Sequence, residues 1–423
     1  ARDKVAGYDF FYRNNVIKPA LVGIAGPWIS GGVEFNWPQH HRPATFLPMD
    51  SQIQRDSNED VTVWFNDLDQ MQRMKGTHGV RLRADSSLIE VAAKLHNRTD
   101  DLQTFLWWAN VAAYSHENYQ SFFPTDVAYV ADHARRAITA FPKADRPYYG
   151  LDYPAQVTEE NPNADRIDFY SNVLVPTSYM ITDTDDDFFG GYDHDVNAGF
   201  VHWADKGIAP GKKRWTWGNG DVGHAWDRHL TDTDGPYVEL MAGVFTDNQP
   251  DFTWINPGET KEFSQYWYPI RNLGVVHQAT RDLAVRLELD GTSAKWFVGA
   301  TRVITGATVV LALGGEELTT QGEDLTPGTT AQGTVTVPAG TLEHALTLLV
   351  VDAEGQVLLS WTPRAPIDAE EPWVATEPPM ASEIASNDEL VITGTHLVQY
   401  RHPTRMAEPY FDEALARDEQ DSR

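Results

Sequence analysis

Cysteine is absent from this 423-residue chain, which excludes disulfides, thiolate catalysis and Cys-ligated metals. Basic residues are scarce beside acidic ones: 33 Lys and Arg stand against 61 Asp and Glu, a formal charge of −28. Nucleic acid and anionic membrane surfaces both demand a basic face, so neither is expected as a partner. An acidic excess of this size also serves as a solubility or salt-tolerance device. No apolar run reaches the ~18 residues of a membrane span. The opening ARDKVAGYDFFYRNN lacks the basic-then-apolar pattern of a secretory signal. It starts without Met and enters strand-like sequence at once, so the natural protein is expected to begin earlier, and a cytoplasmic location is expected. No HExxH, nucleophile elbow G-x-S-x-G, Walker loop or dinucleotide fingerprint occurs. Zinc hydrolysis, acyl transfer, ATP chemistry and redox cofactors therefore lose their usual signals, and no cofactor or metal is expected.

What the chain does have is core material, 41% hydrophobic and 11% aromatic residues, over a length that suggests two or three domains. Residues 1 to about 98 alternate apolar and polar residues between Gly, Pro, Asn and Asp turns, as short strands do. IEVAAKLHNRTDDLQTFLWWANVAAY predicts two antiparallel strands joined at Asn97-Arg98-Thr99-Asp100. A short helix is predicted around Asp132 to Ala140, where Ala and Arg dominate, and loops over 143–178. Strands resume at SYMITDT, DFFGGYDHDV and AGFVHWADKGI. Near Gly274 the composition shifts to Val/Leu/Thr-rich strands at roughly ten-residue intervals, the spacing of a compact antiparallel sandwich. Residues 364–383 are a Pro/Glu-rich linker. In the tail, Leu390, Leu397 and Tyr400 share a helical face, and Pro409 opens a last helix ending near Arg417.

The chain is organised around 215–270, which holds Trp215, Trp217, Trp226, Trp254 and Trp267, with Trp203 just upstream. Taken singly, each Trp is a core residue. Interleaved with Asp, Asn and Gly they follow neither strand nor helix periodicity, and indole faces beside carboxylates and amides suit a sugar. Glu239 lies in the apolar run PYVELMAG, where desolvation of a buried carboxyl would raise its pKa towards the range of a proton shuttle. A Glu on the solvent face of an edge strand fits that pattern equally. Glu34, in GGVEFNWP beside Trp37, is a second carboxylate of the same kind. Glycoside hydrolysis needs two such groups across the scissile bond, whereas mutarotation needs one base and one acid. DTDDDFFGGYDHD (183–195) reads as a solvated acidic turn, with a metal site or sugar-hydroxyl acceptors as alternatives.

At Glu239 a resemblance enters. ELMAGVFTDNQPDFTWINPGETKEFSQYWYPI resembles the end of the aldose 1-epimerase (galactose mutarotase) domain. The resemblance implies that Glu239 matches the catalytic base and Pro257-Gly258-Glu259 the closing turn of a β-supersandwich. GGVEFNWP looks like the strand carrying sugar-contacting Asn and Arg, so Asn36 would keep one role, while the Arg has no clear counterpart. On the strand where mutarotases place a general-acid His, this chain reads Asn110-Val111, with His116 further on. YDFFYRNNVIKPALVG, FFPTDVAYVADH, DFFGGYDH and WTWGNGDVGHAWDRHLTDTDGPYVEL resemble a bacterial family of the same superfamily, usually followed by a sandwich and tetratricopeptide repeats. EPYFDEALARDEQDSR looks like the first helix of such a repeat.

Together these readings predict an all-β chain. Residues 1–273 form a mutarotase-like β-supersandwich, 274–363 a smaller antiparallel β-sandwich, and 364–423 a linker and short helical tail. The expected function is carbohydrate-active, glycoside hydrolysis ahead of epimerisation, with a non-catalytic carbohydrate-binding scaffold as the rival. Glu239 is the candidate acid or base, with Glu34 or Asp221 as its partner. Trp37, Trp217 and Trp226 are candidate stacking platforms. Asn36, His78, His116, Asp193, His194 and Asn219 are candidate readers of hydroxyls. The expected ligand is an oligosaccharide or sugar, and a protein partner is expected through helical repeats beyond the tail.

Overall fold

The computed structural model describes residues 1–5, 7–21, 27–39, 48–246, 253–366, 368–400 and 405–423, without the side chains of 399 and 400. The fold is all-β with a short helical tail, the mutarotase-like supersandwich and smaller sandwich expected above. A seven-stranded antiparallel sheet is built from β1 (Val33–Asn36), β2 (Trp108–Tyr114), β3 (Tyr129–Ala131), β4 (Ile138–Ala140), β5 (Thr177–Ile181), β6 (Gly211–Thr216) and β7 (Tyr237–Gly243), in the order β4-β3-β5-β6-β7-β2-β1. Facing it is an eight-stranded antiparallel sheet whose central strands are Ala198–Trp203, Thr260–Arg271 and Ile89–His96.

Alternation decides what each strand gives to which side. Along β7, Val238, Leu240 and Ala242 enter the core between the sheets, where they meet Val91, Leu95, Phe200 and Trp267. Tyr237, Glu239, Met241 and Gly243 therefore face the other way. Trp108 of β2 lies over Gly211 and Gly243, where an added Cβ would come within 2.7 and 2.1 Å of the indole. Two glycines thus make room for one large ring on the outer face.

Four expectations need correction. No helix forms over 132–140: β3 and β4 pair as a hairpin instead. Asp132 Oδ1 accepts the N–H groups of Arg136 (2.7 Å) and Ala137 (3.1 Å), and Arg135 takes φ 52°, which together close a turn. The strands either side of Asn97 do not pair as a hairpin, because Ile89–His96 joins the eight-stranded sheet and β2 the seven-stranded one. Buried Asn97 fixes the crossing by donating to the carbonyls of Asp101 (2.8 Å) and Ile255 (3.1 Å). Trp37 is no open platform, since it is 0% exposed and packs edge-on against Phe105. The Trp-rich block is not one wall: Trp267 is core, Trp254 is exposed, and Trp203 packs against Tyr266.

The turn at Pro257-Gly258-Glu259 is present, with Gly258 at φ 71° and Glu259 Oε2 accepting the N–H of Asn256 at 2.7 Å. Beyond it, two four-stranded sheets enclose Leu283, Val285, Trp296, Val309, Leu311 and Leu348. Tyr268 ties this sandwich to the eight-stranded sheet by donating to the carbonyls of Thr280 and Leu283. The tail forms α2 (Asn387–Tyr400) and α3 (Glu408–Arg417), with Pro409 in the first turn of α3. Leu390 and Leu397 share a buried face with Tyr410 and Ala414, while the side chain of Tyr400 lies outside the described residues. No helix among the described residues is long and apolar enough to cross a membrane.

Candidate functional site

The outer face of the seven-stranded sheet carries the candidate site, and strand register assembles it. Glu34, Asn110, Met241, Lys213 and Met180 stand opposite one another in a row across β1, β2, β7, β6 and β5. Ala112, Glu239, Trp215 and Ser178 form the adjacent row. Directly opposed residues share a face, so Glu34 and Glu239 are brought to one surface from distant parts of the sequence.

Glu239 is 6% exposed and firmly held. Asn110 Nδ2 donates to its Oε2 at 2.9 Å, and the Tyr237 hydroxyl donates to its Oε1 at 3.3 Å. Burial first, and the Glu239 charge second, hold the Tyr237 phenol well above its usual range, which keeps it a donor. Its oxygen in turn accepts from Trp217 Nε1 at 3.1 Å. The amide of Asn110 also reaches Glu34 Oε2 at 3.4 Å, as does that of Asn36. One oxygen of each carboxyl thus accepts from the same nitrogen. Asn110 Oδ1 and Trp108 Nε1 are buried and have no hydrogen-bond partner among the described residues.

Aromatic rings border this row. Trp217 stacks on Trp226 with centroids 4.2 Å apart, meets Trp215 edge-on at 5.2 Å, and has Trp28 beside it at 5.8 Å. Trp226 is delivered by α1 (Asp221–Leu230), a helix not anticipated from the sequence. Its signals were there: Gly220 at the N-cap, Asp221 in the first turn, and Arg228 and His229 in the last.

Sequence reasoning also missed Lys213 and His133. Lys212 and Arg214 turn towards the core, so alternation aims Lys213 at the site face, where it is 1% exposed. Its Nζ lies 3.0 Å from His133 Nε2 and 5.1 Å from the centre of the Trp108 ring. Burial pulls the Lys213 ammonium down to about 7, against the opposing pull of Glu239 and Glu34. The one signal was three consecutive cationic residues inside an otherwise strand-like run, GKKRWTW.

The remaining candidates sit elsewhere. His78 is buried in the eight-stranded sheet, where it accepts from Trp107 Nε1 at 3.0 Å and stacks on Phe35 at 4.9 Å. Asp221 is exposed at the start of α1. The backbone N–H of Asn219 donates to the carbonyl of Val173 at 2.6 Å. His116 follows the end of β2 and pairs with Asp193 at 2.9 Å and Asp195 at 3.4 Å. The ligand atoms of these three lie within 4.8 Å of one another, a spacing that could hold a cation. Asp193 Oδ1 already accepts the N–H groups of Asp195 and Val196, the arrangement of a closed acidic turn. His194 bonds Gln120 at 2.8 Å and stacks on Phe169, and burial lowers its pKa.

Residues 1–270 match the family described as "Domain of unknown function (DUF5107)", and residues 278–361 match "YphG-like protein, second domain". Among solved structures, a TPR-domain-containing protein from Parabacteroides distasonis is similar at 22% identity and TM-score 0.51, over 63% of this chain and 42% of that one. This chain therefore spans less than half of that protein, and the likeness is one of fold. The Slr1438 protein from Synechocystis sp. is 11% identical at TM-score 0.40, over 57% of this chain and 79% of that one. A galactose mutarotase-like protein from Lactobacillus casei is 10% identical at TM-score 0.39, over 64% and 92% of the two chains.

Proposed function

The chain belongs to the DUF5107 family, and we propose that it is a carbohydrate-active enzyme working by acid–base chemistry at the anomeric centre of a sugar, in the manner of an aldose 1-epimerase. The observation that carries this reading is the buried Glu239 carboxylate, held by Asn110 and Tyr237 on a face bordered by Trp217 and Trp226. A proton acceptor held in fixed geometry inside a largely dehydrated site is what abstraction from a sugar hydroxyl requires. The unsatisfied Asn110 Oδ1 and Trp108 Nε1 offer one acceptor and one donor to ligand hydroxyls. The test is polarimetry of freshly dissolved α-aldoses. The enzyme equilibrates at least one of them faster than buffer, and buffer rates across a broad aldose panel refute the reading.

Glycoside hydrolysis is the second reading, favoured by the pairing of Glu34 with Glu239 through Asn110. An inverting hydrolase leaves ~6.5–9.5 Å between its carboxyls for a water, while a retaining one uses ~5–5.5 Å. Two oxygens sharing one nitrogen suit the retaining spacing. Chromatography of an oligosaccharide panel separates this outcome from a binding scaffold, which gives saturable heat and unchanged glycan. We also propose that 1–273, 274–363 and 364–423 are separate units, that the protein is cytoplasmic, and that the α2–α3 hairpin opens a tetratricopeptide-type array that engages a protein partner.

A further inference from the structure

Lys213 is buried on the same face as Glu239, one strand away and two residues out of register, a diagonal that long side chains span. The charged and titratable groups that act on it come from three elements. Glu239 is on β7, Glu34 on β1, and His133 in the turn between β3 and β4. The π face of Trp108 on β2 adds a favourable environment for a cation.

Two basic nitrogens at 3.0 Å constrain each other. One must offer a lone pair to the other's N–H, so Lys213 Nζ and His133 Nε2 hold one proton along their common line. The pair lies on the sheet face that carries Glu239 and Glu34, both of which act electrostatically on Lys213, and a mobile proton on one face with an anionic acceptor is the pairing that ring opening of a cyclic hemiacetal needs.

We propose that Lys213, backed by His133, is the proton donor of the Glu239 site, acting on the ring oxygen of an aldose. This inference rests on the epimerase reading above. Glu239 takes the proton of the anomeric hydroxyl, and the O–H electron pair becomes the second bond of a C1 carbonyl. The bond from C1 to the ring oxygen breaks, its electron pair stays on that oxygen, and the oxygen takes a proton from Lys213 Nζ. Glu239 is left protonated and Lys213 neutral. Rotation about C1–C2 exposes the other carbonyl face. Ring closure then returns one proton to Lys213 and passes the other from Glu239 to the new anomeric hydroxyl. No co-reactant is consumed. A lysine suits the step because burial brings its ammonium to about 7, where it gives up a proton near neutral pH.

The experiment is the pH dependence of mutarotation by the whole chain, read by polarimetry for wild type, Lys213→Met and Lys213→Arg. The wild-type rate falls on the alkaline side of about pH 7 as Lys213 loses its proton. Both variants lose ~10²-fold or more, since methionine has no proton and arginine does not release one. The residual rate of K213M no longer falls with alkali. A merely structural Lys213 lowers the yield of folded protein but leaves the alkaline limb in place, and K213M at the wild-type rate with that limb intact overturns the assignment. Should neither variant fold, competitive acetylation of the wild type decides. An amine at 213 titrating near neutrality supports the proposal, and one titrating like a surface lysine overturns it. Wild type at buffer rates on every aldose overturns the epimerase reading itself, and the donor role with it, whatever the acetylation result says about the Lys213–His133 pair.

Discussion

Asn110 Nδ2 donates to Glu239 Oε2 across 2.9 Å, a side-chain bond between neighbouring strands of the seven-stranded sheet. An amide cannot deliver a proton as an imidazolium does. It can hold a carboxylate in one orientation and favour its charged form, and its 3.4 Å reach to Glu34 makes it the joint between both acids.

Replacing Asn110 by alanine removes the amide that holds the Glu239 carboxyl in one orientation. The variant is expected to lose ~10-fold or more in kcat while folding as wild type by near-UV circular dichroism. An unchanged kcat shows that Asn110 does not act through Glu239.

Glu239→Gln keeps shape and partners, because the new amide oxygen still accepts from Asn110 or Tyr237. Loss of the proton-accepting oxygen is expected to lower the rate by ~10²-fold or more. Near-UV circular dichroism should match wild type, and full activity with an unchanged spectrum rules out Glu239 as the base.

The sequence pattern groups Trp37 and Trp226 as platforms, and the fold separates them. Trp37 is fully buried against Phe105, so W37A is expected to cost ~3–5 kcal/mol in denaturant unfolding. Trp226 is half-buried on Trp217, and W226A is expected to weaken sugar binding by calorimetry with a smaller stability loss. Equal losses of stability refute this division.

His202 is enclosed in the core, bonded to Gln265 at 2.9 Å, and burial drives its pKa down to about 3. Above about pH 6.5 the imidazole is neutral folded or unfolded and contributes no slope. Below that, the unfolded chain binds a proton that the native state refuses, so stability falls as pH drops from about 6.5 towards 3. His277, lowered by burial to about 4, adds in the same direction. His202→Asn is expected to flatten the slope between pH 6 and 4 by about 1.4 kcal/mol per pH unit. Urea melts at stepped pH measure it, and an unaltered slope refutes the assignment.

The alternation in PYVELMAG and GGVEFNWP identified Glu239 and Glu34 as carboxyls among apolar neighbours, and both share the candidate face. The same alternation runs through GKKRWTW. Three cations in a row normally mean a solvated edge, and nothing local marks β6 as a central strand buried on both faces. His133 was hidden by the helical propensity of Ala and Arg over 132–140. The Asp132 carboxylate overrides that propensity by capping a tight turn, and the turn is what points His133 at Lys213.

The residue pattern alone was enough for the class of fold, the strand-rich sandwich after Gly274, the helical tail and the setting of Glu34 and Glu239 among apolar neighbours. These follow from periodicity and composition, which are local. Only the tertiary structure decided which indoles are core and which lie on the outer face, that Asn110 bridges the two acids, and that Lys213 meets His133 at 3.0 Å on the same face. Those facts depend on which strands lie side by side, and the pairing of β1, β2, β7 and β6 joins residues 34, 110, 239 and 213 across long stretches of chain. Register between distant strands is set by the packing of the whole sheet, and no short window of sequence carries it.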